Sequence, residues 1–281
     1  MKKIALVAAS MLFAGAASAA DLSYPVKAAA PEPAAPAWDI AFGTKLTTDY
    51  VFRGITQTNG NAAVQGYAEF QALDWFYAGI WASNVSFLST GSAEIDLYAG
   101  LRHSWGGLTL DAGFVYYAYP GGSNGLAWPD EWKDTDYNYW EIYFKPTYAF
   151  NDMITVGANL YYGDSYAGSG ATETYLSGTL KLDFSKYSPV QDVGFYVSGE
   201  LGYQWLGTTT AYVAWNNHTM PDYTTWNVGL GFTYKAATLD LRYYDSDLSG
   251  DQCALVSGAS NACGDRYVAS LSFDTAFSKL K

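Results

Sequence analysis

From Glu94 to Trp105 polar and apolar positions alternate without a break. Glu94, Asp96, Tyr98, Gly100, Arg102 and Ser104 fall on one parity, and Ile95, Leu97, Ala99, Leu101, His103 and Trp105 on the other. Successive strand side chains point to opposite faces, so the segment has one polar face and one apolar face. The pattern recurs along the chain. Tyr137, Tyr139, Glu141, Tyr143 and Lys145 oppose Trp140, Ile142, Phe144 and Tyr148; Ser198, Glu200 and Gln204 oppose Phe195, Val197, Leu201 and Trp205. In the last such segment Tyr267, Ala269, Leu271 and Phe273 oppose Ser270, Ser272 and Asp274. A chain that repeats only this motif has no second layer to cover its apolar faces, and lipid is the remaining cover. The pattern predicts an all-β protein: a transmembrane up-and-down antiparallel β-barrel of about 12 strands, polar inside and apolar outside.

The strand-like segments centre on 39–53, 62–73, 75–84, 93–105, 107–118, 137–149, 152–163, 172–184, 193–206, 222–234, 236–246 and 265–277. Short connections, such as Leu73-Asp74 and Gly106-Gly107, alternate with long ones at 54–61, 85–92, 119–136, 164–171, 207–221 and 247–264. Short periplasmic turns and long outer loops are the habit of bacterial barrels, and an even strand number returns both termini to the periplasm. Ser185–Asp192 is long for a periplasmic turn.

Ahead of this region, Lys2 and Lys3 precede an apolar run from Ile4 to Ala17, and Ala17-Ser18-Ala19 offers small residues for cleavage. Residues 1–19 therefore read as a secretory signal peptide, and 20–37, with Pro25, Pro31, Pro33 and Pro36, as an extended Ala/Pro-rich periplasmic leader. A role for the leader as partner ligand or barrel plug is the other reading. Residues 38–281 form the expected outer-membrane barrel of a Gram-negative bacterium.

Composition sharpens this picture. Mean hydropathy is -0.06, as expected where lipid-facing and water-facing residues alternate. The 25 Tyr and 10 Trp fit aromatic girdles at the two membrane interfaces. A formal charge of -12 with no basic run excludes nucleic acid as a partner. The expected partners are outer-membrane lipid and lipopolysaccharide, the barrel-assembly and periplasmic chaperone machinery, and small solutes or ions. Cys253 and Cys263 enclose a polar stretch; a disulfide is the default for such an exported pair, and metal binding is the alternative.

The polar parity carries Lys45, Asp49, Arg53, Glu69, Glu94, Asp96, Arg102, Asp111, Glu141, Lys145, Glu173, Lys181, Asp183, Glu200, Asp240 and Arg242. These groups are either structural ion pairs filling a narrow lumen or a charged constriction that selects solutes. Acids outnumber bases among them, so any field should favour cations. Catalysis needs a base within reach of a nucleophile. Of the two histidines, His103 falls on the lipid parity and His218 in an outer loop, so no enzyme and no cofactor are expected. Carboxylates crowd the loop Trp128–Asp136 and again at Asp245, Asp247 and Asp251. They read as solvated acidic loops or as weak divalent-cation ligands.

Several linked motifs also resemble the Gcw-chp, or TorF-type, porin family of proteobacteria. They are Tyr50-Val-Phe-Arg-Gly-Ile-Thr-Gln-Thr58, Gln65-Gly66, Tyr77-Ala-Gly-Ile-Trp-Ala-Ser-Asn-Val85, Glu94-Ile-Asp-Leu-Tyr-Ala-Gly100, Asp111-Ala-Gly113, Tyr117-Ala-Tyr-Pro-Gly121 and Tyr139-Trp-Glu141. The resemblance is dense between Tyr50 and Glu141 and diffuse beyond. It implies an outer-membrane barrel of porin function and no defined substrate. The end Ser278-Lys-Leu-Lys281 departs from the terminal aromatic usual in such barrels. The functional expectation is a passive channel for small hydrophilic solutes or ions, narrow and mildly cation-preferring. The alternative is a non-conducting structural or adhesive barrel that binds partners through its outer loops.

Overall fold

A computed structural model describes residues 38–86, 92–122, 137–210 and 218–280. The signal peptide, the leader and the acidic loop at 128–136 lie outside the described residues. In chain order the strands are β1 (Trp38–Thr47), β2 (Val51–Phe52), β3 (Ile55–Thr56), β4 (Ala63–Ala72), β5 (Phe76–Asn84), β6 (Ala93–Trp105) and β7 (Leu108–Ala118). There follow β8 (Tyr139–Ala149), β9 (Ile154–Gly163), β10 (Glu173–Asp183), β11 (Val193–Leu206), β12 (Tyr223–Tyr234), β13 (Ala237–Ser246) and β14 (Arg266–Ala276). All but β2 and β3 close one barrel in which each strand pairs antiparallel with its neighbours, and β1 seals the wall by pairing with β4 on one side and β14 on the other.

The two faces separate as the alternation requires. Leu97, Leu101, Ile142, Leu176 and Leu201 stand exposed on the outer wall, while Glu94, Asp96 and Glu141 on the opposite parity are buried inside. A closed wall with an apolar exterior satisfies every backbone group and leaves only side chains to meet lipid. At the turn end of the barrel Trp75 stacks on His103 with centroids 4.1 Å apart, Trp105 meets both rings edge-on, and Tyr148 packs against Phe150. These rings form part of an interfacial aromatic belt.

Most of the tyrosines do something else. Tyr67, Tyr77, Tyr98, Tyr117, Tyr139, Tyr143, Tyr161, Tyr175, Tyr196, Tyr223 and Tyr244 are buried inside the barrel. Many of these rings lie across an inward glycine of a neighbouring strand: Tyr98 on Gly79, Tyr77 on Gly100, Tyr143 on Gly113 and Tyr196 on Gly231, where a Cβ would strike the ring. Each ring thus covers backbone that glycine leaves bare, and its hydroxyl reaches the lumen. The girdle expectation therefore accounts for the smaller share of the tyrosines.

The structure also corrects the first predicted strand. It was expected to run to Arg53 and to lead into an outer loop at 54–61, but β1 stops at Thr47 and the next residues turn into the barrel. There β2 and β3 form a two-residue hairpin with Arg53 (φ 46°) and Gly54 (φ 82°) at its tip. Positive φ at both central residues is the type I′ geometry that matches strand twist. A side chain at Gly54 would also meet Thr225 Oγ1 at 2.5 Å. Asp49 ties the base of the hairpin, accepting from the Thr56 and Thr58 hydroxyls, and Thr58 Oγ1 in turn accepts from the Tyr50 amide at 3.0 Å.

Above the hairpin the 247–264 connection, expected to lie outside the barrel, folds down as a cap. It contains α1 (Gly250–Ser257), started by a Ser249–Gln252 capping box and stopped by Gly258 in the left-handed region. The Cys253–Cys263 disulfide is present. Both cysteines and Val256 are buried in a cluster with Ile55 of the hairpin, Leu206 and Tyr223 of the wall and Met220 of the connection between β11 and β12, and the Thr56 amide donates to the Ala262 carbonyl at 2.9 Å. The 185–192 connection is shaped by a short 3-10 turn at Ser185–Tyr187.

Leu97→Arg should impair assembly, because a cation on the lipid face near the midplane costs about 2–4 kcal/mol. Glu94→Gln, on the inner face, should spare it. Heat-modifiable electrophoretic mobility of the two variants measures the difference, and equal behaviour would place the register of β6 in error.

Candidate functional site

The hairpin sets Arg53 in the outer half of the lumen, against the walls built by β8 to β11. One guanidinium nitrogen lies 2.8 and 2.9 Å from the two Glu141 oxygens; the other donates to Glu173 Oε2 at 3.1 Å and Gln204 Oε1 at 3.2 Å. The rings of Phe52, Tyr161 and Tyr175 hold the guanidinium carbon at 4.6, 4.8 and 4.6 Å from their centroids. Arg53 is 4% exposed, and Glu141, Glu173 and Gln204 no more than 1%. A planar fork among carboxylates and aromatic faces is the setting for which arginine is best suited. Tyr117 donates to Glu141 Oε2 at 2.7 Å and fixes the acceptor in place.

The same half of the lumen holds more acid than Arg53 matches. Glu94 accepts from the Tyr50 hydroxyl at 2.8 Å, a second tie between hairpin and wall. Asp96 is 0% exposed, lies beside Glu94 and Glu141, and has no hydrogen-bond partner for either carboxylate oxygen among the described residues. The periplasmic half is different. Arg102 bonds Glu69 at 3.2 Å and Asp111 at 2.8 Å, and Lys145 lies 3.8 Å from Asp111, so two acids face two bases. Farther round the wall Lys181 pairs with Asp183 at 3.3 Å and Arg242 with Asp240 at 3.0 Å. The acid surplus read from the sequence therefore sits around the hairpin rather than evenly along the lumen.

The remaining candidates fall as follows. Lys45 faces inward on β1, half-buried near Asp274. Glu200 accepts from Tyr175, Asn159 and Asn227, all neutral donors. Asp49 and Arg53, assigned to a wall strand by parity, are instead parts of the inturned hairpin, where Asp49 also meets Arg266 at 3.4 Å. His103 is fixed by Trp75 and by the Asp74 carbonyl at 3.2 Å, and the His218 carbonyl accepts from the Thr209 amide. Asp245 accepts from the Tyr243 hydroxyl and Asp247 from the Thr224 amide, so these acids turn to separate partners. Among the described residues no group of acids, histidines and cysteines is arranged to hold a metal ion. Sequence reading put Gln204 on the polar parity without making it a candidate, and missed the wall rings of Tyr161 and Tyr175 and the hairpin itself; the Arg53-Gly54 pair flanked by Asp49, Thr56 and Thr58 was the available signal.

Solved structures share the architecture at low identity. The NanC porin matches with a TM-score of 0.50 and 12% identity over 84% of this chain and 99% of that one. The KdgM porin in complex with disordered oligogalacturonate matches at 0.48 and 11% over 84% and 98%. An outer-membrane channel from Pseudomonas putida F1 matches at 0.46 and 12% over 88% and 100%. The NanC match is a likeness of fold alone. No curated protein matches the chain in sequence. A family model does: Gcw_chp, described as bacterial protein of unknown function, matches residues 30–274. With nearly all of the barrel inside that match, the chain belongs to the Gcw_chp family.

Proposed function

We propose that this protein is an outer-membrane channel for passive diffusion of small hydrophilic solutes or ions, held closed here by its own first outer loop. The observation that carries this reading is the hairpin tip inserted into a polar, acid-rich lumen and tied to the wall by Arg53. A barrel of about twelve strands lies between those filled by side chains and those with an open channel. In this one the outer half is filled by a separable loop rather than by the wall alone. Its surplus of Asp and Glu favours cations. The lumen is narrow, and the residues that select are Glu94, Asp96 and Glu141, with Arg53 as the removable counter-charge. The paired groups of the periplasmic half, among them Glu69, Arg102, Asp111 and Lys145, line the pore without adding net field. No catalytic role is proposed.

A second reading rests on the same burial. With Arg53, Glu141 and Gln204 almost wholly enclosed, the barrel could be a permanently plugged structural or adhesive element.

Reconstitution into a planar bilayer separates the two. Under a KCl gradient the wild type should show stepwise conductance with a reversal potential of cation sign, largest at low salt where screening is weak. Glu94→Gln, Asp96→Asn and Glu141→Gln together should move it toward zero. Silence across salts and voltages, in Arg53→Ala as well, would favour the plugged barrel.

Arg53→Ala should raise the open probability. It should also lower stability by about 3 kcal/mol, the low end of the cost of stripping one partner from a buried pair, because water can enter the vacated lumen. Denaturant titration in detergent measures the second effect. A variant as stable as the wild type would mean that the hairpin is held by Asp49 and Tyr50 alone.

A further inference from the structure

The surroundings of Arg53 have the make-up of a receptor whose ligand is part of the chain. Once the hairpin is set aside, what remains belongs entirely to the wall: Glu141 on β8, Tyr161 on β9, Glu173 and Tyr175 on β10, and Gln204 on β11. These residues supply acceptors to two guanidinium nitrogens at 2.8–3.2 Å and two aromatic faces to its plane. The tip that delivers the guanidinium is held in a backbone conformation that residues other than glycine seldom adopt, with Arg53 at φ 46°. Strain of this kind persists where the surroundings over-determine it, and it marks functional segments.

We propose that this cage is a binding site for small solutes bearing a guanidinium group, which compete with Arg53 for the same acceptors and rings. The inference rests on the channel reading only for how such a solute arrives. Its chemistry follows from what the hairpin leaves behind. Withdrawal of Arg53 exposes Glu141 and Glu173 without a counter-charge and frees Glu94 from the Tyr50 hydroxyl. Asp96, beside them, already has both oxygens buried without a hydrogen-bond partner among the described residues. A neutral or anionic solute would leave these carboxylates without a counter-charge, whereas a guanidinium restores the pairing that Arg53 gave. Its planar fork also suits the cage better than a spherical metal ion, which would leave the faces of Tyr161 and Tyr175 unused.

The test uses the folded barrel in detergent, with methylguanidinium as probe. In Arg53→Ala the probe should produce a saturable upward shift in melting temperature that KCl at equal ionic strength does not. The shift should be absent in the triple variant Arg53→Ala, Glu141→Gln, Glu173→Gln. No shift in Arg53→Ala, or the same shift in both variants, would overturn the proposal. Should Arg53→Ala fail to fold, Arg53→Gln, whose amide can still donate to Glu141, is read in the same way. Binding in detergent does not require conduction. A silent bilayer would therefore count against the channel, and an unmoved melting curve against the cage.

Discussion

The contact between Arg53 and the pair Glu141 and Glu173 joins two parts of the chain that neither local propensity nor lipid would bring together. It spans 120 residues to Glu173. The barrel wall needs only alternation and closure. The hairpin has no such support: β2 and β3 contribute two residues each, too few to stand alone in water. It holds its place because a buried guanidinium meets acceptors and aromatic faces on the far wall, and because Asp49 and Tyr50 brace its base. The disulfide-linked cap then settles on Ile55. Without the ion pair, the cap would rest on a loop with little reason to stay inside the lumen.

A second constraint makes that placement possible. Inward side chains of a barrel this size must fill space without filling all of it. Here tyrosine over glycine does so: the hydroxyl end of the Tyr98 ring takes the space that a Cβ at Gly79 would fill, and that of Tyr143 the space at Gly113. Rings set over bare backbone in this way share the lumen with the inserted hairpin. Their hydroxyls then serve the carboxylates, as Tyr77 serves Asp111 and Tyr117 serves Glu141. Burial of so many acids is sustained by these phenols as much as by the basic residues.

How much was legible in the sequence follows from which interactions are local. The inner position of Glu94 and the outer position of Leu97 depend on a period of two and nothing else, and both are where the pattern puts them. The disulfide needed only export and two cysteines. Arg53 was assigned to the lumen, but for the wrong reason. Lys45, Asp49 and Arg53 share one parity, so the pattern carried β1 past Thr47, where the wall strand ends, and up to the chain reversal at Arg53-Gly54. The turn at Arg53-Gly54 gives a weaker sequence signal than Asn-Gly or Asp-Gly would. Nor could parity alone show that Arg102, Glu69, Asp111 and Lys145 neutralise one another while Asp96 stands apart, because parity gives a face and not the cross-strand register that sets Arg102 opposite Asp111 and Asp111 opposite Lys145.

In the channel proposed above, the uneven charge would tie opening to occupancy. While the hairpin is seated, Arg53 offsets part of the negative field in the outer half; when it leaves, that field appears where a solute would enter. A cation therefore binds the open state better than the closed one, and a ligand shifts an equilibrium by its differential affinity for the two states. By the same linkage, weakening the ion pairs from the hairpin side alone, as by loss of the Arg53 guanidinium, strengthens the hold on an incoming cation. The balanced pairs of the periplasmic half do not change when the hairpin moves, so they offer no comparable trap and leave a cation free to pass on. The device needs no motion of the wall. It needs only that one short loop and one mobile cation want the same five side chains.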